Sequence, residues 1–247
     1  MDQSNLTETR NRRSFLELLA AGAASIGLAS LVNPIGLSAQ AKKPTQTKPS
    51  AGNMHPADLW FNKVKGRHRV VYDATQPHEV FPFAWPKVFL LTNAATGSPA
   101  SDCGVVVVLR HAAIGYAFKD EMWAKYNLAE VFNAKDHGPA LQSADAATAT
   151  KTRNIFWSNG PADFKVPGLG AVDIGIKSLQ KDGVMFCVCE AAITVYGNAV
   201  AGMMNMKADD VIKDWKENLI PGIQPVPSGV WALGRAQEKR CAYIFAG

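Results

Sequence analysis

Residues Gly183–Gly197, GVMFCVCEAAITVYG, change pattern in mid-stretch. Val184 to Val188 is a short apolar run, the composition of a buried strand. An alanine-rich stretch from Ala191 to Ala201 follows at once, with the spacing of a helix. Strand running directly into helix is half of a βαβ unit. Two cysteines, Cys187 and Cys189, fall at the junction.

The same alternation extends in both directions. Upstream, His68 to Asp73 and the continuous run Gly104 to Leu109 (GVVVVL) predict strands; the second has the pattern of a strand buried on both faces of a parallel sheet. Trp85 to Thr96, Ala112 to Ala117, Asp120 to Tyr126 and Val172 to Lys181 predict helices. Downstream, Asp209 to Leu219 predicts a helix that Asp209 can cap, Ile223 to Val226 a strand, Gly229 to Glu238 a helix and Cys241 to Phe245 a last strand. Asp136 to Asn159 reads as a long loop whose Asn154–Trp157 segment either lines a pocket or anchors the loop to the core. Strands alternating with helices predict α/β architecture: a three-layer α/β/α domain over 67–247 with a mainly parallel sheet of about five strands.

The N-terminal region has a different grammar. Arg12 and Arg13, followed by Ser14-Phe15-Leu16, precede an Ala/Gly-rich apolar run from Leu18 to Val32. Ser38-Ala39-Gln40-Ala41 then offers a small-residue cleavage site ending at Ala41. This order predicts a twin-arginine export signal over 1–41, the twin-arginine translocase as partner, and a mature chain in the periplasm or outside the cell. The apolar run is short and glycine-rich for a membrane span of about 20 residues. Residues 42–66, opening KKPTQTKPSAGN, read as linker and N-terminal extension.

Lys+Arg 26 against Asp+Glu 21 leaves a net charge of +5. The basic residues are scattered rather than gathered into a stripe, so no nucleic-acid partner is expected. Among the motifs that mark phosphate, dinucleotide, zinc-protease or serine-hydrolase chemistry, none is present, and no cofactor is expected.

Catalytic groups of such sheets gather outside the carboxyl ends of the strands. Cys189 is predicted at that end, at the mouth of the following helix, where unpaired amides favour the thiolate, the nucleophilic form of the side chain. Cys187 lies deeper on the same side of the strand and reads as core or as a supporting thiol. A bond between the two is awkward within a strand, where their Cα atoms stand about 6.5 Å apart with parallel Cβ vectors. A Cys103–Cys241 pairing stays open. Arg110 and His111 follow the Val105–Leu109 strand and are candidates to bind an anion or tune Cys189. An alternative in another class is a non-catalytic binding protein for a small ligand or for Cu(I), with Cys187, Cys189, Met203, Met204 and Met206 as soft ligands to the metal.

The strand–Cys–helix segment resembles the DsrE/DsrF-like sulfur-relay family, and two further stretches carry the likeness. These are Asn218-Leu-Ile-Pro-Gly-Ile-Gln-Pro-Val-Pro-Ser-Gly-Val230 and Ala236-Gln-Glu-Lys-Arg-Cys-Ala-Tyr-Ile244. The resemblance spans roughly Arg67 to Gly247 and is most specific after Gly183. It implies an α/β/α fold, homo-oligomers, and a cysteine that carries sulfane sulfur as a persulfide, exchanged with thiol-containing donor and acceptor proteins. Matched residue by residue, that cysteine is Cys189.

Overall fold

The computed structural model describes residues 54–134, 137, 150–157, 164–166 and 170–247. The export-signal and linker readings up to residue 53, and most of the Asp136–Asn159 loop, lie outside the described residues.

The chain runs α1 (Pro56–Phe61), β1 (His68–Ala74), α2 (Phe81–Ala95), β2 (Cys103–Leu109), a 3-10 helix (His111–Ala117), α3 (Asp120–Tyr126) and α4 (Leu128–Val131). A two-stranded hairpin, β3 (Lys165–Val166) with β4 (Gly170–Ala171), comes next. Then follow α5 (Ile176–Lys181), β5 (Met185–Cys189), α6 (Glu190–Met204), α7 (Ala208–Glu217), β6 (Ile223–Val226), α8 (Gly229–Glu238) and β7 (Ala242–Phe245). Five strands form one sheet in the order β6-β5-β2-β1-β7. Every pairing in it is parallel.

Helices cover both faces, giving the three layers expected. The central strand β2 has no polar side chain to present, and residues 104–109 are buried. Burying each such valine contributes about 1.5–3 kcal/mol. Because side chains alternate along a strand, Val71, Val106, Val108 and Cys187 pack on one face with α1 and α8, contributed by Phe61, Ala232 and Ala236. The opposite face meets α2 and an aromatic group in which Phe83 stacks on Phe156 at 4.0 Å and approaches Phe186 at 6.2 Å.

Several boundaries differ from the sequence reading, each for a local reason. The N-terminal extension is not all linker: α1 starts at Pro56, His55 Nδ1 accepts from the Ala57 N–H, and Trp60 and Phe61 enter the core. The amphipathic pattern from Val172 yields helix only from Ile176, because Gly175 is extended and its N–H bonds to Asp173 Oδ1. Asp209 lies inside the first turn of α7 rather than capping it; the cap position is Lys207. There Asp209 and Asp210 still meet the positive end of the helix. The segment 112–117 forms a 3-10 helix that begins at His111. Asn154 and Phe156 anchor the end of the long loop: the Asn154 amide donates to the carbonyls of Tyr116 and Phe118.

Candidate functional site

Parallel register brings the carboxyl ends of the strands to one edge. Ala74 pairs with Leu109, Leu109 with Val188, Cys189 with Val226 and Asp73 with Phe245. Alternation then sorts the side chains. Two residues beyond Val71, Val108 and Cys187, all packed on the α8 face, come Asp73, Arg110 and Cys189. Arg110 keeps the parity because its backbone stays extended, and its N–H still bonds the Ala74 carbonyl at 3.0 Å. Three strands thus deliver an acid, a base and a thiol to the same side of the same edge.

Cys189 is the N-cap of α6. Its backbone is extended (φ −74°, ψ 109°), and its Sγ accepts a hydrogen bond from the Ala192 N–H at 3.2 Å. Only 6% of the residue is exposed. The sulfur therefore sits in the amide-rich mouth of a 15-residue helix, where negative charge is favoured. A second helix starts alongside: the Pro227 carbonyl accepts from the Ala191 N–H, and Ser228 Oγ caps α8 through the Trp231 N–H.

Arg110 is the cation of the site. Its Nε donates to Asp73 Oδ1 at 2.6 Å and its Nη2 to Asp73 Oδ2 at 2.9 Å, a two-pronged ion pair. Asp73 is 1% exposed, and its Oδ2 also accepts from the Tyr243 hydroxyl at 2.8 Å. The hydrogen bonds to Asp73 raise the Arg110 pKa above its ordinary value, with smaller contributions in the same direction from Tyr243 and Cys189. Because Leu109 pairs with Val188, the strand end that carries Arg110 stands next to the one that carries Cys189. The stem of Arg110 runs against Gly229, where an added Cβ would stand 2.5 Å from Arg110 Cβ. Gly229 is therefore required by close approach, not by backbone conformation.

The remaining candidates separate from Cys189. His111 falls on the other parity, adopts a left-handed backbone (φ 49°), and its Nδ1 shares a 2.8 Å hydrogen bond with the hydroxyl of Tyr196, on α6. Burial first, and the Arg110 charge second, lower its pKa. Cys187 is fully buried, and burial pushes its thiol pKa far up. It packs in the core against Val71, Val106 and Val108. Met203, Met204 and Met206 are exposed at the far end of α6. The 1.5 Å rise per residue sets Met203 about 21 Å from Cys189. The five sulfurs proposed for Cu(I) do not converge, because one helix holds them at its opposite ends. Among the described residues no cluster of three His, Cys, Asp or Glu could hold a metal. Cys103 and Cys241 are both free. β1 lies between their strands, so two strand spacings, about 9–10 Å, separate them, beyond the ~7 Å Cα limit for a disulfide.

Two surface depressions lie away from this edge. One, of about 450 Å³, is lined by Lys63, Lys65, Lys181 and Cys103 at the opposite end of the strands. The other, of about 340 Å³, is apolar and lies between α2 and β7, lined by Tyr72, Trp85 and Ile244. Neither reaches Cys189.

The sequence reading missed Asp73, Tyr243 and Gly229. Strand parity could have found Asp73, since it repeats the phase of Val71; Tyr243 needed the β1–β7 pairing, and nothing local marks it.

No family model matches the chain, and no curated protein matches it. Among solved structures the chain is similar to a protein of unknown function, MTH1491, from Methanobacterium thermoautotrophicum. The two share 16% identity over 72% of this chain and 98% of that one, with a TM-score of 0.36. The fold assignment rests instead on the strand order and register above.

Proposed function

We propose that this protein is an exported member of the sulfur-relay type, carrying sulfane sulfur on Cys189. The observation that carries the reading is the capped sulfur: Cys189 Sγ accepts the Ala192 N–H at the edge where the neighbouring strand delivers Arg110. A helix N-terminus favours negative charge in general, and a thiolate is what sulfur transfer requires. The resemblance of the strand–Cys–helix segment to DsrE/DsrF-like proteins supports the same residue.

The step is a thiolate displacement. The Cys189 thiolate attacks the outer sulfur of a donor persulfide, R–S–SH. A new S–S bond forms on Cys189, the donor S–S bond breaks, and the donor leaves as its thiolate. The proton stays on the transferred sulfur, so Cys189 becomes Cys–S–SH with no net oxidation. An acceptor thiolate then repeats the attack on that terminal sulfur and restores Cys189. The first-turn amide of Ala192 holds the anionic sulfur in each direction, with the Arg110 charge at the neighbouring strand end. With 6% of Cys189 exposed, the donor must present a slender sulfur chain rather than a bulky group.

Intact-mass measurement after exposure to a polysulfide donor tests the proposal. The native chain is expected to gain sulfur in whole-atom steps, and the Cys189→Ser variant is expected to gain none. A Cys189→Ser protein that loads as well as the parent removes Cys189 from the role.

A further inference from the structure

We infer that Asp73 and Tyr243 are positioning residues for Cys189, acting through Arg110: they fix its guanidinium on the face of the sheet edge that the sulfur shares. The inference rests on the carrier reading of Cys189 and deepens it.

A carboxylate 1% exposed, next to the end of β1 and following Val70, Val71 and Tyr72, contributes little to packing. Buried ion pairs often give no net stability over apolar residues of similar volume. Asp73 nevertheless meets three donors: Arg110 Nε, Arg110 Nη2 and the Tyr243 hydroxyl. Two of the three guanidinium nitrogens of Arg110 are thereby fixed, and Nη1 is left without a protein partner among the described residues. The stem is fixed as well, against Gly229 at the start of α8. Strands β1 and β7 and helix α8 all constrain the one side chain that follows β2. Left to itself, an arginine 27% exposed at a strand end would extend into water.

The charged and titratable groups around the sulfur come from every neighbouring element. Asp73 comes from β1, Arg110 follows β2, and Cys187 lies deeper on β5. Tyr243 comes from β7. Glu190 opens α6 but is paired with Lys216 of α7 at 2.8 Å. His111 and Tyr196 bond each other. β6 and the start of α8 offer only Val226, Pro227 and Ser228. Arg110 is the one cation of this set not already paired away from the edge.

This arrangement makes the sign of one experiment decisive. If Asp73 only neutralised Arg110, removing its charge would leave more positive potential at Cys189, and the pH midpoint of thiol reactivity would fall. If Asp73 positions Arg110, its loss frees the guanidinium to swing to solvent and the midpoint rises. Cys189 alkylation is followed against pH by peptide-resolved mass spectrometry on the full chain, in the parent, Asp73→Asn and Tyr243→Phe. Asp73→Asn is expected to raise the midpoint by about half to one pH unit, a three- to tenfold loss of reactivity on the rising limb. Tyr243→Phe, which changes no charge at neutral pH, is expected to shift it the same way by less. An unchanged or lowered midpoint in Asp73→Asn that retains its circular dichroism overturns the inference. If Asp73→Asn fails to fold, an unshifted Tyr243→Phe overturns it. Should the parent Cys189 take up sulfur while neither variant shifts, only the positioning role falls; should the parent take up none, the carrier reading falls first.

Discussion

The sulfur of Cys189 and the backbone N–H of Ala192 form a 3.2 Å hydrogen bond, so the proposed carrier is also the N-cap of its helix. One atom then has two separable duties. Cys189→Ser keeps an acceptor at the cap and is expected to leave the melting temperature nearly unchanged while abolishing sulfur uptake. Cys189→Ala loses both and is expected to cost a further ~1 kcal/mol, read from urea denaturation.

The two neighbouring thiols are expected to differ sharply in reactivity. Cys189 keeps a small exposed surface at the sheet edge, whereas Cys187 has none. Alkylation of Cys187 therefore waits on opening of the domain, which at ordinary stabilities of ~5 kcal/mol or more suppresses it about 10³-fold or more. Peptide mapping of natively alkylated protein is expected to show Cys189 labelled long before Cys187. Equal rates would mean that the β5–α6 junction opens locally.

Two glycines of α8 give a matched comparison. Gly229→Ala drives a Cβ to 2.5 Å from the Arg110 stem and is expected to destabilise by about 1–3 kcal/mol while lowering Cys189 reactivity. Gly234 has open space around it, and Gly234→Ala is expected to stabilise by about 0.5–1 kcal/mol through helix propensity, with reactivity unchanged. Urea unfolding of the two variants, read beside their alkylation rates, checks both halves.

Alkaline pH is expected to weaken the fold. Burial raises the pKa of the Cys187 thiol above its ordinary 9.0 and those of Tyr72 and Tyr116 above 10.0, and pushes Tyr196 up to about 12. Between those ordinary values and the folded ones, the unfolded chain has released protons that the folded chain retains. Stability is thus fully present below about pH 9 and falls as pH rises beyond it. Urea midpoints measured from pH 8 to pH 11 are expected to decline, and Cys187→Val is expected to make the decline shallower.

Much of the architecture was legible because this sheet is written in local signals. The β-branched run 104–109 has the pattern of a strand buried on both faces, and Gly229–Glu238 reads as helix and forms one. Helix α1 was not legible: Pro56 and the short PADLWF segment follow a lysine- and proline-rich stretch, and only burial of Trp60 and Phe61 against the sheet makes it a helix. At the site, Cys189 and Arg110 could be read from their place after a strand. His111 was grouped with them on proximity in sequence, yet one residue of strand parity sends it to Tyr196. Tyr243 shows the limit most clearly. It reaches Asp73 across 170 residues of chain, through a β1–β7 pairing that no local pattern announces.

Site-resolved mapping of the transferred sulfur tests the central claim most directly. The native protein is loaded with a polysulfide, trapped with an alkylating reagent and digested, and the extra sulfur is located among Cys103, Cys187, Cys189 and Cys241. The account expects the added sulfur on Cys189 and its loss on incubation with an acceptor thiol. Sulfur found on Cys103 or Cys241 with Cys189 unmodified would contradict it.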